Sequence, residues 1–493
     1  MNFKIKSNNE KLPAVVVVPL VQNAEGKANL SIVQTVLTDL PDSLADDFGA
    51  GVGEVLVWYH QRQKLLLLGL GKTPKMREVI KAFRQLGSKH QGKLTTQFAV
   101  DFSYLPTCNF ELLDATVNGL ELSSYDPGTY KSDKKGTNET EPTESTVVLA
   151  LPHDMKQNDA EAAIQRGRVI AEAQREIMEL VNAPANKKLP ERLGDWASQT
   201  GKMYGLKVKV MKKREIEKTG LHALLAVNRG SESPPVFIIM DHQPKDLPAD
   251  ALTIALVGKG VTFDTGGVSI KGSANMHYMK SDMGGAAAVL GTLRSAARLK
   301  LPIRLIGVVP ATDNSVDATA IKPSDVIDSY SGKTIEIIDT DAEGRLILAD
   351  GLAYVNEKYS PDYLINLATL TGSTVRALGY HAAALFTDND ELAKQLRTAG
   401  DDTGERVWQL PLWDEYKTDL ESDVADIRNF SGKPVAGAIN AATFLQFFTS
   451  EHPAWAHLDI AGVAFGDTGF TKMKSATGFG VRLLVHWLEN LTQ

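Results

Sequence analysis

Residues 251–267 read ALTIALVGKGVTFDTGG. The first seven residues are a continuous apolar run with β-propensity, which predicts a central strand buried on both faces. The run stops at Gly258-Lys259-Gly260, and Asp264, Gly266 and Gly267 follow within a few residues. Ligand sites in open α/β sheets sit outside the carboxyl ends of strands, and glycines let backbone approach a ligand closely. Taken alone, the segment fits either a ligand loop or a glycine-rich connection with an exposed Lys and Asp. It is not a Walker A loop, because Gly-x-x-x-x-Gly-Lys-Ser/Thr is absent.

Outward from this stretch, apolar runs alternate with helical patterns. In the first 120 or so residues, 14–20 (AVVVVPL), 54–59 (EVLVWY) and 64–70 (KLLLLGL) read as strands, and 75–86 as a helix. Residues 123–145 are polar and carry two Pro and two Gly, which predicts a surface loop. Its Asn138-Glu139-Thr140 matches the glycosylation triplet, read as a chance match in the absence of a secretion signal. Residues 146–151 (TVVLAL) read as one more strand, and 159–180 as a long amphipathic helix stopped by Asn182-Ala183-Pro184. The expected organisation is α/β in two domains. A smaller N-terminal α/β domain (1–155) is joined by a connecting helix (156–183) to a larger mixed-sheet α/β catalytic domain (184–493). No internal repeat of 20–50 residues is present.

Composition excludes several classes. Of 493 residues, 43% are hydrophobic and 23% charged, which rules out a largely disordered chain. The net charge of −7 gives no electrostatic case for binding nucleic acid or an anionic membrane. The single cysteine, Cys108, removes intramolecular disulfides and multi-cysteine metal sites, and fits a reducing compartment. The start, MNFKIKSNNEKLP, has no apolar core of a signal peptide, and no apolar run approaches 18 residues. A cytoplasmic protein with no membrane segment is the expectation.

Two further pieces carry chemistry. Lys280-Ser281-Asp282-Met283-Gly284-Gly285 precedes an Ala-rich helical stretch to Leu299, where Asp282 reads as a site residue or as a helix cap. Residues 334–338 (TIEII) read as a strand, followed by Asp339-Thr340-Asp341-Ala342-Glu343-Gly344-Arg345-Leu346 and a helical pattern over 347–356. If that stretch stays extended, Asp341, Glu343 and Arg345 share one face. A solvated turn with an internal ion pair fits the same residues. Together the pieces supply four acids and two lysines near strand ends and helix starts. Such a cysteine-free, carboxylate-rich set suits Mg²⁺, Mn²⁺ or Zn²⁺, and shared carboxylates can hold two ions. No His-Glu-x-x-His occurs among the 10 histidines, and there is no Gly-x-Ser-x-Gly elbow.

These motifs resemble the leucine aminopeptidase family of dinuclear metallopeptidases. Residues 339–346 differ from the family signature Asn-Thr-Asp-Ala-Glu-Gly-Arg-Leu only at Asp339. The segments 181–184, 257–260, 263–267, Lys271, 282–285, 368–372 and 455–462 match in order and spacing, so the likeness spans roughly 165–485. Over the first 150 residues only the general α/β layout is similar. The resemblance implies that Lys259, Asp264, Asp282 and Glu343 hold the tighter metal. Asp264, Asp341 and Glu343, with the Asp341 main-chain carbonyl, would hold the more exchangeable one. The ions would be Zn²⁺ and/or Mn²⁺, or Mg²⁺, and Lys259 would ligate as the neutral amine. Lys271 would stabilise the oxyanion, and Arg345 would hold bicarbonate or a similar anion as general base.

The family likeness further implies a pocket including Met279, Thr369, Leu370, Gly372 and Ala461 for the first side chain. Ala464 lies nearby, where a small residue enlarges the pocket, so Leu and Met are the expected substrates. Short peptides, a leucyl aminopeptidase activity and a homohexamer with an inner cavity are likewise implied. Asp339 adds a potential negative charge beside the site but removes no ligand. Two other classes compete. Some relatives bind DNA, which a salt-dependent shift assay would detect. A dinuclear phosphatase would prefer phenyl phosphate to leucyl-anilide.

Overall fold

The computed structural model describes residues 1–132 and 145–492, apart from Asn8, Asp39 and Ala249. Of the expected loop 123–145, residues 123–132 and 145 are described, and Asn138-Glu139-Thr140 lies outside the described residues. The chain is α/β and forms two compact units. The first is Met1–Glu172 with Asp402–Gly404, and the second is Ala173–Asp401 with Glu405–Gln493. Their boundary falls inside the helix Gln157–Asn182, the expected connection.

The smaller unit holds a six-stranded sheet. Its strands are β1 (Asn2–Ile5), β2 (Val15–Leu20), β3 (Val55–His60), β4 (Gln63–Gly69), β5 (Gln97–Asp101) and β6 (Thr146–Ala150), in the order β1-β6-β5-β2-β4-β3. All pairings are parallel except β3 with β4. Both faces are covered, which is why β2 and β4 read as unbroken apolar runs. Val15, Val17, Leu66 and Leu68 pack against Phe83 and Leu86 of the helix Met76–Lys89 and Leu113 of the helix Phe110–Ser123. Val16, Val18, Leu65 and Leu67 face the other way, onto Leu30, Val33, Leu40 and Phe48.

The larger unit is built on a nine-stranded mixed sheet. Its strands are β7 (Lys207–Lys212), β8 (Val236–His242), β9 (Thr253–Gly258), β10 (Gly260–Asp264), β11 (Arg304–Asn314), β14 (Tyr363–Ala368), β15 (Ala383–Phe386), β16 (Val407–Gln409) and β18 (Trp455–Asp459). Between them in the chain, β12 (Val326–Asp328), β13 (Thr334–Glu336) and β17 (Ile427–Arg428) form a separate small sheet. The main order is β16-β15-β18-β14-β9-β11-β8-β7, with β10 also on β11. The central run β18-β14-β9-β11 is parallel throughout, so four carboxyl ends open on one edge. Along β11, Ile306 and Val308 join the core formed with Leu346 and Val355 of the helix Glu343–Tyr359. Gly307 between them faces Val289 and Leu293 of the helix Gly284–Leu299. Strand alternation therefore puts these two helices on opposite faces.

The strand expected at 334–338 is shorter, ending at Glu336. Residues 341–345 are not extended. The chain turns at Thr340-Asp341, and the helix already begins at Glu343 rather than near 347. No helix among the described residues is long and apolar enough to cross a membrane.

Candidate active site

The acids converge where the parallel strands end. Lys259 follows β9, Asp264 closes β10, Thr369 follows β14, and Ala461 lies two residues past the end of β18. These residues line one cavity of about 720 Å³, together with Lys271, Met279, Asp282, Asp341, Arg345, Leu370 and Gly372. Glu343 is buried behind them.

Asp264, Asp341 and Glu343 each offer an oxygen, and these ligand atoms lie within 4.8 Å of one another. Asp282 joins through Lys259, whose Nζ is 2.7 Å from Asp282 Oδ2 and 2.9 Å from Glu343 Oε1. Lys271 Nζ sits 2.7 Å from Asp264 Oδ2 and also pairs with Asp341. The structure therefore places Lys271 among the acids, although its side chain keeps 22% exposure to the cavity. Asp282 does not cap the following helix. The cap residue is Met283 and no side chain bonds there; Asp282 Oδ1 instead accepts from the Thr369 hydroxyl at 2.7 Å.

The electrostatics follow from crowding acids away from water. Burial, then repulsion from Asp264, lifts the Asp341 carboxyl to about 7 against the pull of Lys271. Burial raises Asp282 and Glu343 as well, and the neighbouring carboxylates add to it. Burial pulls the Lys259 ammonium down, but Asp282, Glu343 and Asp264 together outweigh this and hold it above the ordinary lysine value. The same balance raises Lys271. The cluster thus stabilises positive charge and resists negative charge.

Several supporting residues were invisible in the sequence. Asn314 donates to Asp264 Oδ1 at 2.9 Å and to the Thr340 carbonyl at 3.1 Å. Asp264 Oδ1 also accepts from the Gly266 N–H at 2.8 Å, in a turn where Gly266 has φ +87°. Asn429 holds the acidic turn by accepting from Ile338 N at 2.8 Å and donating to the Asp339 carbonyl at 2.6 Å. Asp459 accepts from Leu370 N, Ala461 N and the hydroxyls of Thr371 and Thr374, which fixes the 369–372 loop. No local motif marks Asn314 or Asn429, because their pairings are tertiary; Asp459 lies in the matching segment 455–462, which by itself gives it no role.

Asp339 uses Oδ1 to accept the Asp341 N–H at 2.8 Å, a bond that an asparagine oxygen makes equally well. Arg345 is buried, donates to the Asn429 carbonyl at 2.8 Å, and leaves Nε without a partner. Burial pulls its guanidinium down to about 10, against the field of Glu343 and Asp339. Ala464 is buried, 3.0 Å from where a Cβ on Gly284 would stand.

Gly344 makes a testable demand on this packing. A Cβ there would lie 2.3 Å from Lys259 Cε and 2.6 Å from its Nζ. Gly344→Ala should favour the helix by about 0.5–1 kcal/mol yet displace the ammonium from both acids. We expect activity to fall by about 10²-fold, as for other small misplacements of reacting groups. Unchanged turnover in the folded variant would show that Lys259 can move freely.

Fold and site together define a class: an α/β enzyme with a carboxylate-and-lysine cluster at the carboxyl ends of a mixed sheet. The chain belongs to the cytosol aminopeptidase family, whose catalytic-domain profile matches residues 176–485. It is 43% identical over 490 residues to a probable cytosol aminopeptidase of Chlorobium limicola, covering 96% of each chain. A Chlorobium luteolum protein of the same description is 44% identical over 473 residues, covering 91% of this chain and 92% of that one. Among solved structures, the bottromycin maturation enzyme BotP in complex with Mn superposes with a TM-score of 0.84. Its identity is 32%, with 97% of this chain and 100% of that one covered. The activity class is that of an aminopeptidase, a hydrolase acting on peptides.

Proposed function

We propose that this protein is a cytoplasmic, metal-dependent leucyl aminopeptidase that releases N-terminal residues, Leu and Met preferred, from short peptides. The observation that carries the reading is the acid cluster of Asp264, Asp341 and Glu343 beside Lys259 and Asp282. Glu343 Oε2 is buried with no hydrogen-bond donor, and the buried Glu343 Oε1 and Asp282 Oδ2 share the Lys259 ammonium. Buried carboxylates short of donors, in an oxygen-rich, cysteine-free site, fit hard or borderline divalent cations.

Lys259, Asp264, Asp282 and Glu343 would hold one ion. Asp264, Asp341 and Glu343, with the Asp341 carbonyl, would hold the other. The ions would be Zn²⁺ and/or Mn²⁺, or Mg²⁺; the manganese named with BotP supports Mn²⁺. When bound, such a pair lowers the pKa of a water and polarises a carbonyl. The chain's own groups do the rest. Asp282 pairs with the substrate's free α-amino group, which restricts cleavage to the first residue. Lys271 reaches the cavity and stabilises negative charge developing on the carbonyl oxygen. Arg345, with its unpartnered Nε, holds bicarbonate or an equivalent anion that accepts the proton.

The first side chain would occupy the wall formed by Met279, Thr369, Leu370, Gly372 and Ala461. Ala464 is buried against Gly284 and does not line the cavity, so the preference for Leu and Met rests on the family resemblance. The family resemblance supports a homohexamer as the working assembly. The test is blocking the amine: acetylating Leu-Gly-Gly should abolish cleavage, whereas comparable turnover of the acetylated peptide would make the enzyme an endopeptidase.

A further inference from the structure

The helix Gln157–Asn182 stops just before Pro184, which cannot continue it. The last carbonyls of a helix lack donors within it and carry partial negative charge. Two lysines meet them here. Lys188, 0% exposed, donates through Nζ to the Val181 carbonyl at 3.0 Å. Lys280 donates through Nζ to the Asn182 carbonyl at 2.9 Å. The two lysines are also joined to each other, because Lys188 Nζ donates to the Lys280 carbonyl. Burial and the Lys280 ammonium pull Lys188 down to about 7, against the attraction of the Asp282 carboxylate.

This cross-tie ends two residues before Asp282. Lys280 belongs to the 3₁₀ turn Met276–Ser281. Such turns are short and poorly hydrogen-bonded, so they do not fix their own position. The turn passes to Asp282 through one bond, from Asp282 N to the Met279 carbonyl at 3.2 Å. On its other side Asp282 leads into the helix Gly284–Leu299, buried from Gly284 to Ala296. Packing therefore sets the chain after Asp282, and the two lysines set the chain before it. The carboxylate between them has little latitude. Its Oδ1 meets the Thr369 hydroxyl and its Oδ2 meets Lys259 Nζ, each at 2.7 Å. A shift of the backbone at Lys280 disturbs both contacts.

Resting on the two-metal reading of the acid cluster, we propose that Lys188 and Lys280 are positioning residues. Their cross-tie to the end of the helix Gln157–Asn182 holds Asp282 in place for the tighter of the two ions. Asp282 belongs to only one of the two proposed ion sites, so losing the tie weakens one ion and spares the other.

The experiment titrates the metal-stripped protein with Mn²⁺ by calorimetry, alongside its melting temperature. The proteins are the wild type, Lys188→Met and Lys280→Met; methionine keeps an unbranched stem and removes the donor. In Lys188→Met the tighter ion should bind about tenfold more weakly, the lower end of the usual cost of losing a group that orients a metal ligand. The weaker ion should keep its affinity. Lys280→Met should show the same selective loss at about threefold, within the worth of one hydrogen bond. A purely structural pair of lysines would lower the melting temperature and leave both affinities of the folded protein unchanged. That result overturns the proposal, as does equal weakening of both ions. If Lys188→Met does not fold, Lys280→Met decides by the same criterion, because its side chain is only half-buried. A wild type that takes up no ion would overturn the two-metal reading itself. That is distinct from two ions bound equally well by all three proteins, which overturns the cross-tie alone.

Discussion

Asp264→Ala and Glu343→Ala should each reduce peptide hydrolysis by more than about 10³-fold, beyond the usual cost of one lost oxyanion donor. The two acids reach this outcome differently. Asp264 divides its oxygens: Oδ1 is tied down by Gly266 N and Asn314 Nδ2, while Oδ2 faces Lys271. Its loss removes a proposed bridging ligand and leaves Asn314 and Lys271 without a partner carboxylate there. Glu343 is 1% exposed, and it pairs with Lys259 at 2.9 Å. Breaking a buried pair by removing one partner costs about 3–5 kcal/mol. Here part of that is offset, because Asp264 and Asp282 lose a repelling neighbour. We therefore expect folded proteins with little bound metal. Chelation of the wild type should reproduce the loss, and adding back Zn²⁺, Mn²⁺ or Mg²⁺ should restore activity to it but not to the variants. Near-normal turnover by either purified variant would refute the proposed bridging role.

The central strand was legible because a strand buried on both faces shows no alternation. Residues 251–257 read as one apolar run, and β9 occupies Thr253–Gly258. The acidic turn was legible in content but not in shape. Asp341, Glu343 and Arg345 have a period of two, and four or five residues cannot separate an extended segment from a turn that enters a helix. Asp341 and Glu343 meet because the chain reverses at 340–342 and Glu343 opens a helix, not because they line one face of a strand. Arg345, two residues into that helix, turns toward the Asn429 carbonyl instead. The residues that hold the ligands could not be read at all. Asn314 is 50 positions from Asp264, and Asn429 is 90 from Asp339. Each lies in a stretch with no periodic or motif signal. Their role exists only once β10 and β11 pair and β17 is laid beside β13.

Lys271→Ala should lower kcat by about 10²–10³ while the metals stay bound, as expected for one lost oxyanion donor. In the sequence, Lys271 lies seven residues past Asp264, after a Gly-Gly pair that can fold the chain back. A turn forms there, with positive φ at Gly266 and Gly267 and with Lys271 N bonded to the Thr265 carbonyl at 2.9 Å. It returns the amine to Asp264 and Asp341, so one charge faces two proposed ligands and the cavity at once. Two roles then compete. As a neutraliser of the acids, Lys271 would chiefly set metal affinity and stability. As a donor to substrate, it would chiefly set kcat. Burial pulls its ammonium down, but Asp264, Glu343 and Asp341 outweigh this and hold it above the ordinary lysine value, so it can donate but cannot act as a base. The 22% of its side chain that reaches the cavity favours the donor role, since a purely structural ammonium has no need of an open side. Metal content, melting temperature and kcat measured on one preparation of Lys271→Ala separate the two. Full metal, an unchanged melting temperature and a low kcat support the donor. Lost metal with unchanged turnover per bound metal would end the catalytic assignment and leave Lys271 as the counter-charge of the cluster.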